Sequence, residues 1–365
     1  MLGWGGQGIA ALFSAQVLED NTTRTKYFAA KTFLKDYSAN RITRATKNFR
    51  KLLQLQREIL CTALFEGSVY CVQLVDIPPP NTPVPLPVPF DPQPANHFFK
   101  ENPNVSAYIE NLQAELQNNP RPVMFMEYLR NGPLGSAMFN KETLWDERMP
   151  DSDNSLIPND DVDFIHFDLD PGNFFVGDHD NPPETDVASH SHRVLPIVTI
   201  ADFGVVRTVD RSDPRNFIHN QSLMWASQHV GKQDYFTPEQ FTPIDCRPRP
   251  RVAGEYTWKK NLYQVALTMA NLMTLYRVQR PPTPKLMNLK VIFPSSANGQ
   301  PSHRKDHTYG GYLLNEGWHW GHVDRELRIA IAHCMFDLPE MRPSQKELLS
   351  FCEKKLRDYQ AASDD

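Results

Sequence analysis

His166-Phe167-Asp168-Leu169-Asp170-Pro171-Gly172-Asn173, followed downstream by Asp202-Phe203-Gly204, decides how this chain is read. Asp163 to His166 and Asn173 to Gly177 form two brief strand-like runs around a tight loop, and Leu195 to Ala201 is an apolar strand leading into Asp202. Two carboxylates and one carboxamide, each at the end of a short apolar strand, are suited to hold a proton acceptor and Mg²⁺ around a nucleotide's terminal phosphate. Phosphoryl transfer needs little covalent chemistry from a protein, so positioning and charge neutralisation make up most of catalysis.

Bulk properties narrow the field. With 365 residues the chain can bury an ample core in one large domain or two lobes. A formal net charge of −5 gives no global push toward nucleic acid or acidic membranes, and the basic run Arg41 to Lys51 reads as one solvated helix face. The five cysteines, Cys61, Cys71, Cys246, Cys334 and Cys352, are scattered without CxxC spacing. That pattern suits a reducing compartment better than a disulfide framework or a zinc site. Met1 to Val17 lacks a basic n-region, and no run of about 18 apolar residues occurs. The expectation is an intracellular protein of cytoplasm or nucleus, with no nucleic-acid or membrane partner.

Working outward, Ile9 to Val17 and Tyr27 to Phe33 suit strands, with a polar turn at Asn21-Thr22-Thr23. Asn48 to Leu64 has the spacing of a helix, and Val69 to Ile77 is again strand-like. Residues 78–120 break the pattern. Their prolines favour an extended polyproline form, read as a spacer, with a protein partner for segment 78–95 as the sharper alternative. A short polar helix is expected at Val105 to Leu116, and a buried strand at Val123 to Tyr128. Helices follow at Asn261 to Tyr276, Glu326 to Met335 and Ser344 to Tyr359, the last with Ser344 and Glu347 spaced for a capping box. His190-Ser191-His192 and Trp318-His319-Trp320-Gly321-His322 lack metal-site spacing and read as a polar loop and an aromatic cluster.

The central motifs resemble the catalytic and metal-binding loops of the protein kinases, and a fungal group of divergent kinase-like proteins comes closest. Gly3-Trp4-Gly5-Gly6-Gln7-Gly8 resembles the family's glycine loop, and Ala29-Ala30-Lys31 its lysine strand. The resemblance implies that Gly3, Gly5 and Gly8 cover the phosphates of ATP, while Lys31 grips them with Glu58 as its ion partner. Met126-Glu127-Tyr128-Leu129 resembles the hinge, whose backbone at Glu127 and Leu129 would bond adenine. Asp168 would be the catalytic base, and Asn173 and Asp202 would hold Mg²⁺. Phe236-Thr237-Pro238-Glu239, Asn261 to Ala266 and Arg342-Pro343-Ser344 resemble later family elements, and predict a buried Glu239–Arg342 ion pair.

The implied architecture is α+β and two-lobed: a small, mainly β N-lobe over 1–128 with its insertion at 78–120, and a larger, mainly α C-lobe over 129–359. A hydrophilic insertion is expected at 178–193 and a disordered tail at 360–365. The implied activity is serine/threonine-type transfer of the ATP γ-phosphate to a protein hydroxyl. Three departures bear on it. Phe167 replaces the arginine that pairs with a phosphorylated activation loop. Asp170 stands where the family places a phosphoryl-neutralising lysine. Asn261 replaces a bracing aspartate. The region Ser136 to Asp163 shows no apolar helix of normal length, and the first strand lacks its beginning. These features keep open a pseudokinase scaffold or a truncated gene product, and the H-x-D-x-x-x-x-N spacing also suits a small-molecule phosphotransferase.

Overall fold

The computed structural model describes residues 3–4, 9–19, 22–33, 41–65, 68, 71–75, 123–129, 162–177, 198–210, 227–240, 252, 254, 256–275, 283–293, 303–315 and 320–363. The proline-rich segment with its expected helix, the stretch 130–161, the insertion at 178–193 with its histidines, and Gly5 and Gly8 lie outside them. The described residues mix helices with small antiparallel sheets. The chain divides into two compact units, one of Met1–Tyr128 with Asp202–Gly204, the other of Leu129–Ala201 with Val205–Asp365.

In the first unit, β1 (Gly3–Trp4), β2 (Ile9–Glu19), β3 (Thr22–Thr32) and β4 (Met124–Glu127) form one antiparallel sheet in that order. The β2–β3 pairing runs unbroken from Ile9 opposite Thr32 to Glu19 opposite Thr22. Thr22 and Thr23 therefore belong to a strand and not to the expected turn, as their branched side chains favour. Helix α1 (Arg41–Leu64) begins earlier than its apolar spacing suggests. Its Leu52, Leu55 and Ile59 pack with Phe33, Met124, Leu74 and Met126.

The strand expected over Val69 to Ile77 is reduced to fragments. Leu74 forms an isolated bridge with Met126, and Val75 donates its N–H to the Phe125 carbonyl (3.0 Å). The Gln73 side-chain amide instead satisfies the carbonyls of Phe65, Ser68 and Cys71 at 3.2, 2.8 and 2.6 Å. Carbonyls paired within the loop leave no regular ladder for a strand to extend.

The second unit holds two short ribbons, β5 (Val162–Ile165) with β8 (Arg207–Asp210), and β6 (Phe174–Val176) with β7 (Val198–Ile200). Its core is built on α2 (Trp258–Thr274) and α3 (Arg325–Cys334), where Tyr263, Ala266, Leu267 and Ala270 meet Ile331, Cys334 and Met335. Leu275 takes a left-handed conformation (φ 52°) and its N–H caps the Asn271 carbonyl, so α2 stops before Tyr276. A hairpin of β9 (Lys285–Lys290) and β10 (His303–Thr308) was not expected from the sequence.

The final helix, α4 (Gln345–Ser363), opens on the anticipated capping box. Ser344 N–H donates to Glu347 Oε2 (2.7 Å), and Glu347 N–H donates to Ser344 Oγ (3.2 Å). It runs on through Gln360, Ala361, Ala362 and Ser363, correcting the expected disordered tail over those positions; alanine is the best helix former. Among the described residues no helix is long and apolar enough to cross a membrane. Among the described residues, Cys61, Cys71, Cys334 and Cys352 form no disulfide, and the first three are buried.

Candidate functional site

Lys31 lies on β3, between Ala10 of β2 and Met124 of β4. Its Nζ contacts Glu58 Oε1 at 2.6 Å and Asp202 Oδ1 at 3.0 Å. The apolar face of α1 anchors Leu55 and Ile59 on the sheet side, which turns Glu58 toward the same strand. Thus Lys31, Glu58 and Asp202, distant in sequence, meet within the first unit. Gly3 pairs with Ala10 on the neighbouring strand. The adjoining Phe203 stacks on Phe65 with ring centroids 5.3 Å apart.

The cluster is unequal in charge, with one ammonium for two carboxylates. Burial disfavours the charged lysine, but Glu58 and Asp202 together hold it above its ordinary pKa. For Glu58, 3 % exposed, burial dominates and pushes the carboxyl up to about 7, Lys31 opposing and Asp202 adding to the rise. Asp202 itself sits at φ 63°, a conformation that non-glycine residues adopt at some cost and that clusters at functional sites.

In the second unit, the loop from His166 to Asn173 is held from three sides. His166 Nε2 pairs with the Ala201 carbonyl (3.1 Å) and its Nδ1 accepts the Asp168 N–H (3.4 Å), which fits a neutral ring carrying its proton on Nε2. Asn173 Nδ2 donates to the Asp168 carbonyl at 2.7 Å, to Asp168 Oδ2 at 3.2 Å and to Asp170 Oδ2 at 3.3 Å. All three contacts use nitrogen, which leaves the amide oxygen as a hard donor. Phe167 stands at φ 64° and is wholly buried with Ile165, Val205, Val209 and Tyr256. That mainly apolar pocket, with Lys260 Nζ 4.5 Å from the ring centroid, suits a phenylalanine and not a second cation.

Two amides from α2 brace the loop. Asn261 accepts the His166 N–H (2.9 Å) and donates to the Phe164 carbonyl (2.6 Å). A neutral amide thus serves as acceptor and donor at once, which a carboxylate could not. Gln264 accepts the Leu169 N–H (3.4 Å) and donates to the carbonyls of Phe167 and Tyr235 at 3.2 and 2.9 Å.

Sequence reasoning missed Lys232. Its N–H donates to Asp168 Oδ1 (2.9 Å) and its Nζ forms an ion pair with Asp170 Oδ2. Asp170 also accepts the Gly172 N–H (2.8 Å), and burial raises its carboxyl while Lys232 opposes the rise. Nothing in local spacing links residues that stand 62 apart.

The two residues expected to bond adenine, Glu127 and Leu129, differ in their surroundings. Glu127 accepts the Gln73 N–H on its side chain (2.8 Å) and donates its own N–H to the Gln73 carbonyl (3.0 Å), so that amide is committed within the first unit. Leu129 is half-buried. The expected Glu239–Arg342 pair is formed, with Nη1–Oε1 at 2.6 Å and Nη2–Oε2 at 3.1 Å, both side chains fully buried.

Asp202 of the first unit carries a carboxylate and Asn173 of the second an amide oxygen, each by itself a hard donor of the kind that suits Mg²⁺. Among the described residues no group of three or more His, Cys, Asp or Glu side chains is placed to hold a metal ion. Mg²⁺ needs no such cage, since it commonly takes one or two protein oxygens and completes its shell with water and substrate phosphates. Sequence comparison adds no assignment: no family model matches the chain, and no curated protein matches it.

Proposed function

We propose that the chain is a protein kinase-like phosphotransferase of two lobes, moving the γ-phosphate of ATP to a protein hydroxyl, of serine/threonine type. The observation that carries this reading is Lys31 bridging Glu58 and Asp202. A lysine held in place between two carboxylates is a fixed cation suited to the phosphates of a ligand. In this reading Lys31 contacts the phosphates, Glu58 holds Lys31 in place, and Gly3 belongs to the loop above them. Asp202 and Asn173 hold Mg²⁺, which supplies electrostatic neutralisation of the phosphate oxygens.

Asp168 orients the acceptor hydroxyl and takes its proton as the new O–P bond forms and the bond to the departing diphosphate breaks. The hydrogen bond from Asn173 to Asp168 fixes the carboxylate for that task. Asn261 and Gln264 keep the loop in register through its backbone.

The test incubates the purified chain with Mg²⁺ and labelled ATP, comparing wild type with Asp168→Ala and Lys31→Met. Wild type should label generic protein acceptors, and both variants should fall to background. Only the Lys31 variant should also lose the rise in melting temperature that Mg²⁺-ATP gives wild type. Nucleotide-dependent stabilisation with no transfer would make the chain a binding scaffold instead. Labelling of a small aminoalcohol in place of protein would move it to the small-molecule phosphotransferases.

A further inference from the structure

We infer that Lys232 supplies the cation that touches the transferring phosphoryl group, and that Asp170 is the positioning residue that delivers it. This rests on the phosphotransfer reading above. Asp170 by itself argues against catalysis, because a carboxylate beside the base repels a phosphoryl group. The ion pair cancels that repulsion and places the ammonium beside the base. The Asp170 side chain is 5 % exposed and holds Lys232 Nζ, while the Lys232 side chain remains 52 % exposed and has donors left for an anion.

Three independent features fix the lysine at this place. Its N–H is bound to Asp168 Oδ1, so backbone and side chain straddle both carboxylates. Gly231 adopts φ +91°, and a Cβ there would meet the Phe167 carbonyl oxygen at 2.2 Å, so only glycine lets this segment approach. A Cβ on Gly172 would lie 3.2 Å from Lys232 Nζ and 3.0 Å from Asp170 Oδ1, so the second glycine clears room for the ion pair. The segment is tied down on both sides of the lysine as well. Gln240 donates to the Val230 carbonyl (2.8 Å) and Gln264 to the Tyr235 carbonyl (2.9 Å).

The experiment measures kcat and the KM for Mg²⁺-ATP in wild type, Lys232→Ala, Lys232→Arg, Asp168→Ala and the double variant Lys232→Ala with Asp170→Lys. Lys232→Ala should lower kcat on the order of a hundredfold while leaving KM nearly unchanged, the signature of a contact made in the transition state. Arginine should retain most of the rate. The double variant, which moves the cation onto the loop, should recover about tenfold over Lys232→Ala. Lys232→Gln replaces the alanine variant if that one does not melt cooperatively. Unchanged kcat in Lys232→Ala, or no recovery in the double variant, overturns the role of Lys232 alone. No transfer by wild type above Asp168→Ala overturns the phosphotransfer reading and this inference together.

Discussion

Glu239–Arg342 and Lys31–Glu58–Asp202 are both buried ionic groups, yet they are built on opposite terms. The first is balanced, one guanidinium against one carboxylate, bidentate and wholly enclosed. Its remaining donors go to the carbonyls of Phe336, Lys259 and Asp337 at 2.8, 2.9 and 3.3 Å. The second has one ammonium against two carboxylates, and Asp202 keeps 29 % of its side chain exposed. A closed and neutral pair holds a fold together. A cluster with one carboxylate partly exposed stays open to solvent. The same contrast recurs in the second unit, where Asp168 and Asp170 share Lys232.

The sharpest way to break this contrast is to remove one partner of the closed pair. Arg342→Leu should cost about 3–5 kcal/mol in urea unfolding, because Glu239 is left charged and unpaired in the core. A loss below about 1 kcal/mol would mean that the pair is not the brace described here.

Lys260 is the intermediate case. It is fully buried, its Nζ has no hydrogen-bond partner, and it lies 4.5 Å above the Phe167 ring. Burial drives its pKa down to about 7, with Glu239 and Asp168 opposing. A lysine depressed on folding contributes stability above its unfolded pKa and loses it as pH falls toward 7. Wild type should therefore gain stability from pH 7 to pH 10, and Lys260→Met should flatten that rise. At pH 7 the variant should be more stable by about 1–3 kcal/mol.

Glu58→Gln should have the smallest effect, under about 1 kcal/mol below pH 4.5, where the carboxyl is protonated in the folded and the unfolded chain alike. Its raised pKa contributes stability that is complete below pH 4.5 and lost as pH rises through about 7. The Glu58→Gln variant should lack that loss. Carbon-detected titration of Glu58 sharpens the point: Asp202→Asn, which takes away a neighbouring charge, should lower its midpoint.

Much of this arrangement was legible from residues alone. Short apolar segments revealed β2 and the second half of β3, apolar spacing revealed α1, α2 and α3, and Ser344 with Glu347 announced the start of α4. Lys31, Glu58 and Asp202 were expected because the segments around them resemble elements of the protein kinases. The β9–β10 hairpin was not, because Lys285-Leu286-Met287-Asn288-Leu289-Lys290 and His303-Arg304-Lys305-Asp306-His307-Thr308 carry no clean apolar alternation. Leu289 alone of the first strand is buried. Lys232 was missed for a different reason. A lone lysine in a polar segment carries no signal of its own, and its meaning comes from a carboxylate brought to it by the fold.

The closed pair has a consequence for how the molecule opens. Arg342 lies two residues before the Ser344 cap, and Lys259 Nζ holds the carbonyls of both Arg342 and Pro343 at 2.6 Å. The first turn of the last helix is thereby moored to the centre of the second unit. Amide protons near Glu347 and Leu348 should exchange with deuterium only when the whole unit unfolds, and those beyond Asp358 far sooner.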